Sequence, residues 1–411
     1  MISRVGQSAR KLQGLRRRIE LVVLARVAGR RAVRAWIVGG ALRDRLLGTD
    51  IHEIDVAVSR DAEGLARELE AAGLGRAVFL SKDRPGPRVF RVAGPRPIDI
   101  AEIEGGSIAA DLARRDFTVN AIALALDSGE LVDPFGGVED AMRRRLRCVR
   151  PENLAEDPLR ILRAARLWST LGLTPDPSVL AAARAAAPLF GSAAAERVTA
   201  ELSRLLGSER AAPALGWAAR AGILPEALGL STGGAKSAAL ARRLSTLDAR
   251  SIRTIAPARR RRIRLSLVAI RAGMTALEAR RWLAERRWAR EDARDASALV
   301  RLAAQSAAAR STRERWRWIL AAGDLAPDAL ILLASLGVAG RRRARSLAPL
   351  TRRPPRRVAV DGDDVVGWLH VAAGPLVGEL LSELSIAAAM GEVKNRREAR
   401  HWLTGQVRKA P

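Results

Sequence analysis

The sequence changes character near residue 150. Before that point, short β-branched segments alternate with helical ones, and prolines separate several of them. After it, alanine, leucine and arginine dominate, and most segments show the spacing of an amphipathic helix. This division predicts an α+β fold, with a small sheet domain followed by an all-helical part. The 411 residues are too many for one compact core, and they indicate roughly two to four domains.

Apolar periodicity and proline positions predict the main elements of both parts. We expect strands at residues 35–38, 54–58, 78–80, 89–92 and 98–100, and early helices at 41–47 and 61–72. The clearest later helices are predicted at 160–171, 177–186, 193–206, 213–221, 276–288, 313–321 and 376–389. Segment 236–350 is the least informative part of the chain, because alanine and arginine dominate it.

The charge of the chain points to a polyanionic partner. The sequence has 71 Lys and Arg against 44 Asp and Glu, a formal net charge of +27, which favours a nucleic acid. A general preference of the source for arginine is the alternative. One cysteine, Cys148, excludes an internal disulfide, and three histidines exclude His-rich metal chemistry. No apolar run approaches ~18 residues, so we expect no membrane partner and a cytoplasmic location.

One short segment carries most of the predicted chemistry. Gly39 and Gly40 lie between a strand and a helix, where backbone amides can approach a phosphate chain at the helix N-terminus. Arg43, one turn into that helix, can reach the same anion. Glu53 and Asp55 are two residues apart on a strand, so both side chains point to one face.

Two like charges placed this close are unfavourable without a cation. Mg²⁺ is the simplest one, because it binds carboxylate and phosphate oxygens. A pair of Mg²⁺ ions held by Glu53 and Asp55 would activate a hydroxyl and stabilise a leaving pyrophosphate. Asp99, on a neighbouring strand, is a candidate third carboxylate. Solvated acids at a strand edge are the alternative explanation.

Further motifs follow in a fixed order along the chain. They are Asp-Leu-Ala-Arg-Arg-Asp-Phe-Thr-Val-Asn-Ala at 111–121, Asp-Pro-Phe-Gly-Gly at 133–137, Glu-Asp-Pro-Leu-Arg-Ile-Leu-Arg-Ala-Ala-Arg at 156–166, Glu-Arg-Val and Glu-Leu within 196–202, and glycine, acidic and basic positions within 362–398. Together with the Gly39–Gly40 segment and its acid pair, they resemble the class II tRNA nucleotidyltransferases and bacterial poly(A) polymerases. The resemblance covers nearly the whole chain, from about residue 36 to residue 403.

The resemblance implies a fold, a reaction and partners. It implies a small mixed-sheet nucleotidyltransferase head followed by a helical neck, body and tail. The expected domains are 1–34 (basic extension and first helix), 35–149 (catalytic head), 150–206 (neck with the nucleotide-reading helix), 207–350 (RNA-binding body) and 351–411 (RNA-binding tail). The expected reaction is template-independent addition of nucleotides from CTP and ATP to the tRNA 3′ end, with Mg²⁺ as cofactor.

The resemblance also implies roles for single residues. Glu53 and Asp55 would be metal ligands and catalytic residues, and Asp99 a further catalytic residue. The nucleotide would be bound by Gly39, Gly40, Arg43, Asp44, Arg115, Asp116, Asn120, Asp157, Arg160, Arg163 and Arg166. A local turn is the alternative for Asp116. The basic runs at 259–264, 341–345 and 352–357 are suited to RNA phosphates.

Asp157 and Arg160 are the candidate base readers. They are three residues apart and share a helix face. Cytosine and adenine both present an exocyclic amine beside a ring-nitrogen acceptor, so a carboxylate with a guanidinium can accept CTP and ATP while rejecting GTP and UTP. The family uses these positions in this way. An ordinary helix start, with Asp157 as N-cap and Pro158 after it, is the alternative.

Two features depart from the family's pattern. The first metal ligand is usually Asp and here is Glu53, and an added methylene can move a metal by about 1 Å. The segment between Asp99 and Arg114 is short, whereas many CCA-adding relatives carry a longer flexible loop there. Some short-loop relatives add only CC or only the final A, so the product can be CCA, CC or A. A poly(A) polymerase and a catalytically impaired RNA-binding protein are the alternatives.

Overall fold

The computed structural model describes residues 11–80, 88–230, 239–242, 244, 254–352 and 355–407. The first ten residues of the predicted basic extension, and residues 353–354 of the basic run at 352–357, lie outside this part. The chain forms two compact units: residues 1–205 with 213–238, and residues 206–212 with 239–411. The finer division into head, neck, body and tail stays a prediction.

A seven-stranded mixed sheet is the centre of the first unit. Its strands are β1 (Ala35–Val38), β2 (Ile54–Val58), β3 (Arg76–Phe79), β4 (Val89–Ala93), β5 (Ile98–Glu102), β6 (Ala123–Ala125) and β7 (Leu131–Val132). The spatial order is β3-β4-β5-β2-β1-β6-β7, and only β2 and β5 run parallel. β8 (Arg145–Leu146) and β9 (Thr174–Pro175) form a second small sheet. Strands β6 to β9 were not predicted, because two or three residues are too few to show alternation.

Helices surround the sheet and then continue beyond it. The first eleven described α-helices are α1 (Ile19–Arg30), α2 (Gly40–Leu47), α3 (Ala62–Ala71), α4 (Ile108–Ala113), α5 (Gly137–Met142), α6 (Asn153–Glu156), α7 (Leu159–Leu171), α8 (Pro177–Ala186), α9 (Ala195–Gly207), α10 (Ala211–Ala221) and α11 (Leu224–Leu228). Short 3₁₀ segments occur at Gly14–Arg17, Thr118–Asn120 and Ala187–Ser192.

From Pro257 onward, the regular elements among the described residues of the second unit are α-helices and one short 3₁₀ segment. Its helices are α12 (Pro257–Arg271), α13 (Ala276–Glu285), α14 (Arg290–Gln305), α15 (Thr312–Ala322), α16 (Ala326–Ser335), α17 (Val338–Thr351), α18 (Gly362–Leu369), α19 (Pro375–Met390) and α20 (Arg396–Val407). The predicted fold class, a mixed-sheet domain followed by helices, is therefore confirmed.

The two faces of the sheet differ in what covers them. On one face, Ile37 belongs to a large apolar core with Leu24 of α1 and Leu65 of α3. On the other face, Trp36 and Val38 belong to a smaller apolar cluster. Because side chains alternate along a strand, the register partners Asp55 of β2, Asp99 of β5 and Arg91 of β4 fall on this second face. The second face is therefore where polar chemistry can be placed.

Arginines of the predicted RNA-binding run at 259–264 form contacts within the second unit. Arg259 forms a two-point contact with Asp328, at 2.6–3.1 Å, and Arg261 does the same with Asp292, at 2.9–3.0 Å. Arg264 is completely buried and donates to carbonyl oxygens at the C-terminal end of α9. These arginines join helices of the unit, so their charges are already balanced by protein groups.

One apolar stretch, Thr312–Ser335, is long enough by length and composition to cross a membrane. It is not one straight helix: α15 and α16 are separated by the 3₁₀ segment Gly323–Leu325. α16 packs against α12, α14 and α17, and α15 packs against α19. We interpret the stretch as part of the helical core of this unit.

A buried acid connects α5 to the 3₁₀ segment Thr118–Asn120 and to the segment that contains β8. Asp140, on α5, has no exposed surface. Its carboxylate accepts hydrogen bonds from Thr118 Oγ1 at 2.6 Å and from the Nε atoms of Arg145 and Arg147 at 2.8 Å. Removing Asp140 would leave the buried Thr118 hydroxyl without its acceptor, while Arg145 and Arg147, 38% and 36% exposed, would stay hydrated.

Asp140→Ala should therefore destabilise the protein by about 2 kcal/mol. The matched control is the neighbouring Glu139→Ala, which removes an exposed ion pair with Arg143 and should cost less than about 1 kcal/mol. Urea unfolding followed by circular dichroism measures both. Equal unfolding midpoints for the two variants would show that the Asp140 network contributes little.

Candidate active site

A cavity of about 480 Å³ opens on the second face of the sheet. Its lining includes most of the predicted site residues: Gly39, Gly40, Arg43, Glu53, Asp55, Arg115, Asp116, Asn120, Arg160, Arg163 and Arg166. Three predicted residues, Asp44, Asp99 and Asp157, do not line it. The lining also contains residues that were not predicted as site residues: Glu104, Asp111, Arg114, Glu201 and Arg204. The structure therefore brings the separate sequence motifs to one place.

Gly39 sits where β1 ends and α2 begins. Its φ is +68°, a conformation that residues with a Cβ rarely adopt. A Cβ at this position would lie 2.8 Å from Arg115 Nη1 and 3.7 Å from Asp55 Oδ2. The backbone conformation therefore favours glycine here, and a larger residue would also have to displace the Arg115 guanidinium.

Asp55 is an ionisable group in an unfavourable environment. Its pKa is raised from 3.8 to about 6, chiefly by burial, and the nearby carboxylates of Glu53 and Asp99 contribute in the same direction. Arg115 and Arg43 act in the opposite direction but do not cancel the effect of burial. A divalent cation would supply the missing positive charge, so the donor set fits a metal ion.

The candidate protein ligands for such an ion are two carboxylates. Glu53 directly precedes β2 and Asp55 is its second residue, so both face the cavity, as predicted. Among the described residues, no group of three acidic, histidine or cysteine side chains could hold a metal together. The remaining ligands would be water and substrate phosphate oxygens, which Mg²⁺ usually keeps.

Asp99 lies beside Asp55 but has another partner. The two residues are directly paired in the parallel register of β2 and β5. Both oxygens of Asp99 accept hydrogen bonds from Arg91 of β4, from Nε at 2.6 Å and Nη2 at 2.7 Å. Arg91 was not predicted as a site residue. Its signal in the sequence is an arginine at an alternating position of an otherwise apolar strand, opposite an acid.

A second buried carboxylate, Asp116, organises the arginine side of the cavity. Its Oδ1 accepts from the backbone N of Phe117 at 2.8 Å and from Asn120 Nδ2 at 2.9 Å. Its Oδ2 accepts from Arg163 Nη1 at 3.0 Å. Burial raises the pKa of Asp116, but Arg163 and Asn120 outweigh burial and hold it below its ordinary value. The local-turn alternative explains only the contact with Phe117.

Hydrogen bonds extend from Asp116 in two directions. Asn120 Oδ1 accepts from Arg43 Nη1 at 2.6 Å, and Arg43 Nε donates to Asp44 Oδ1 at 2.8 Å. Asp44 therefore orients Arg43 and does not itself line the cavity. Through these bonds, the helix after the glycines and the Arg-Arg-Asp-Phe-Thr turn hold one guanidinium at the cavity wall.

Arg163 and Arg166 share an acceptor on α9. The carboxylate of Glu201 accepts from Arg163 Nε at 3.3 Å and from Arg166 Nε. Burial lowers the pKa of Arg166, whereas for Arg163 the carboxylates Asp116 and Glu201 outweigh burial and raise the pKa. The two guanidiniums are thus held by carboxylates on one side and line the cavity with the rest of their surface.

The candidate base readers do not pair with each other. Asp157 is held by Arg197 of α9, with Nη2 to Oδ2 at 2.7 Å, and Arg160 Nη1 donates to the Asn153 carbonyl oxygen at 2.9 Å. Asp157 and the proline after it directly precede α7, and the Asp157 carbonyl oxygen accepts from Arg160 N at 2.9 Å, so a role in the helix start stands beside base reading. Arg197 was missed, although its motif is visible in the sequence and its spacing from Glu201 places both on one face of α9.

Comparisons with known proteins agree with this geometry. Residues 35–147 match the poly(A) polymerase head domain family. The chain is 34% identical over 397 residues to the CC-adding tRNA nucleotidyltransferase of Geobacter sulfurreducens, covering 90% of this chain and 91% of that protein. It is 33% identical over 433 residues to the A-adding tRNA nucleotidyltransferase of Deinococcus radiodurans, covering 92% and 96%. A crystal structure of the CCA-adding enzyme of Bacillus stearothermophilus with CTP aligns with a TM-score of 0.67 at 28% identity, over 95% of this chain and 98% of that one.

The raised pKa of Asp55 predicts how the metal-free protein responds to pH. The unfolded state loses this proton near 3.8 and the folded state near 6, so the contribution to stability falls as pH rises between these values and stays low above them. Asp55→Asn should stabilise the metal-free protein by roughly 2 kcal/mol near pH 7.5 and hardly at all near pH 4. Thermal unfolding in a chelating buffer measures this, with the exposed Asp50→Asn as control. An equal response of both variants would contradict the prediction.

Proposed function

The chain belongs to the class II tRNA nucleotidyltransferase family, and we propose that its product is tRNA carrying the two cytidines of the CCA end. It is a nucleotidyltransferase of the tRNA 3′ end. The division of CCA addition between CC, A and complete CCA differs among its relatives, and overall identity does not separate them, since CC-adding and A-adding relatives are 34% and 33% identical to this chain. The cytoplasmic location stays a prediction.

The observation that carries the CC proposal is the connection between β5 and α4. Only residues 103–107 separate the two elements, where many CCA-adding relatives have a longer flexible loop. The connection is tied to the cavity wall: the Glu104 backbone N donates to Asp111 Oδ1 at 3.4 Å, and the Glu104 carboxylate pairs with Arg114. Arg115 is in turn paired with Asp111 at 3.1 Å.

A cavity wall held by these contacts has little freedom to change its conformation between successive nucleotide additions. The third addition requires the site to exchange cytosine for the larger adenine after the primer has grown by two nucleotides. A long loop can rearrange to follow that change, whereas a short connection held by the two contacts of Glu104 is ordered before the nucleotide binds. We infer that the site completes cytidine addition and does not adapt to ATP.

In the proposed reaction, the RNA 3′-hydroxyl loses its proton to water, and its oxygen forms a bond to the α-phosphorus of CTP. The bond from the α-phosphorus to the oxygen that bridges to the β-phosphate breaks, and pyrophosphate leaves. Arg43 and Arg115, at the glycine turn, would bind the triphosphate together with Arg163 and Arg166. The family uses divalent metal ions, and Mg²⁺ ions held by Glu53 and Asp55 would polarise the α-phosphate and stabilise the leaving pyrophosphate.

Base selection would be done by Asp157 and Arg160. Each is oriented by a separate partner, Arg197 and the Asn153 carbonyl, so neither side chain needs to reorganise when the base arrives. A carboxylate oxygen bound by Arg197 still has lone pairs for the cytosine amine. Arg160 lines the cavity and would donate to the ring-nitrogen acceptor of cytosine.

The RNA would be held by basic surfaces that the protein does not neutralise itself. In the run at 341–345, Arg341, Arg342 and Arg345 are exposed, and within the described residues no ion pair involves them. This contrasts with the run at 259–264, whose arginines are engaged by Asp328 and Asp292. We therefore propose the 341–345 run, on α17, as the stronger candidate for phosphate contacts.

Product length tests the CC proposal. A tRNA transcript lacking CCA should gain two nucleotides with CTP alone and still two with CTP and ATP together. A transcript ending in CC should gain none with ATP. Separation of labelled products on a sequencing gel gives the answer.

Each other outcome of this gel identifies a different activity. Three added nucleotides with CTP and ATP would show complete CCA addition. A single A on the CC-ended transcript would show A addition, and long A-only products would show a poly(A) polymerase. No incorporation with Mg²⁺ or Mn²⁺, restored by Glu53→Asp, would show that Glu53 impairs the catalytic site.

Base selection gives a separate prediction. Asp157→Ala should lower kcat/KM for CTP by roughly 10²-fold and reduce the preference for CTP over UTP, because the amine of cytosine loses its acceptor. Arg197→Gln, which keeps the carboxylate but removes its support, should give a smaller loss of the same kind. The control is Glu152→Ala, an exposed acid just before α6. Unchanged discrimination in Asp157→Ala would exclude Asp157 as a base reader.

A further inference from the structure

A row of charged side chains crosses the sheet at one level. Arg91 of β4 is register-paired with Asp99 of β5, and Asp99 with Asp55 of β2. Register partners point to the same face of a sheet. All three side chains are therefore on the face that carries the cavity, and the row ends at the candidate metal ligand Asp55.

Arg91 is held in this row by a two-point contact. Its Nε and Nη2 donate to the two oxygens of Asp99 at 2.6 and 2.7 Å, a geometry that fixes the plane of the guanidinium. The same Nη2 lies 3.3 Å from Oε2 of Glu53. Asp99 has both oxygens occupied in this arrangement, and Arg91 links it to Glu53.

Glu53 needs such a restraint more than an aspartate would. Its side chain has one more rotatable bond than Asp and is 53% exposed. Among the hydrogen bonds and ion pairs of the described residues, Arg91 is its one partner. Without that contact, the Glu53 carboxylate could occupy many positions relative to Asp55, and a metal ion held by both would lose one defined ligand.

We propose that Arg91 is a positioning residue for the metal site. Anchored by Asp99, Arg91 holds the carboxylate of Glu53 where Glu53 and Asp55 can bind one ion together. Asp99 acts in this arrangement as the anchor of Arg91 and not as a third metal ligand. The proposal rests on the metal role proposed above for Glu53 and Asp55. It explains how a glutamate can stand where the family usually has the shorter aspartate.

The test is Mn²⁺ binding to the full chain, measured by electron paramagnetic resonance without substrate. The informative variant is R91Q/D99N, which removes one positive and one negative group and leaves the net charge unchanged. It is made in the natural chain and in an E53D background, in which the shorter carboxylate retracts from Arg91. The control is R88Q/E63Q, which removes an ion pair outside the cavity lining.

The expected result is an interaction between the two sites. R91Q/D99N should weaken Mn²⁺ binding by about fivefold or more in the Glu53 chain and by less than about twofold in the E53D background. The control should bind Mn²⁺ like the natural chain, and circular dichroism should show that all variants are folded.

Three results would overturn the proposal, and they can be told apart. Equal Mn²⁺ affinity of R91Q/D99N and the natural chain would show that Arg91 does not position Glu53. An equal loss in the Glu53 and E53D backgrounds would show that Asp99 is itself a metal ligand. If the natural chain binds no Mn²⁺ with or without CTP, the metal role of Glu53 and Asp55 fails, and the positioning role with it.

Discussion

The arginine side of the active site depends on one buried negative charge, the carboxylate of Asp116. A buried carboxylate must be compensated by hydrogen bonds and positive groups, and here two of these groups, Asn120 in the same motif and Arg163 on α7, link it to other functional segments. Asn120, which donates to Asp116, also accepts from Arg43 in the helix after the glycines. Arg163, which donates to Asp116, also donates to Glu201 on α9. The positions of the cations that would meet a triphosphate are thus set before the nucleotide arrives.

On the acidic side of the site, by contrast, the central carboxylate is not compensated. Asp55 is desolvated without enough positive charge around it, which raises its pKa to about 6. Such a group destabilises the isolated protein and becomes favourable only with a cation. The site therefore combines two carboxylates. The charge of Asp116 is compensated and positions arginines, whereas the charge of Asp55 is not compensated and would favour a metal ion. In the proposed reaction, the first carboxylate would serve triphosphate binding and the second metal binding.

The net charge of +27 has more than one use. Many arginines of the second unit join its helices, as the contacts of Arg259 and Arg261 with Asp328 and Asp292 show. A basic run in the sequence is therefore a poor indicator of an RNA surface by itself. What distinguishes the run at 341–345 is exposure on α17 without ion pairs among the described residues, and this follows from where the acids of neighbouring helices fall.

The sequence by itself determined the fold class, the family and most of the cavity lining, because these depend on local periodicity and on motifs a few residues long. Glu53 and Asp55 share a face simply because strand side chains alternate. Only the tertiary structure decided which partner each charge takes. Asp116 and Arg163 are 47 residues apart, and Asp157 and Arg197 are 40 apart. An arginine side chain is long enough to reach several acids, so its partner is chosen by the packing of strands and helices that no local pattern records.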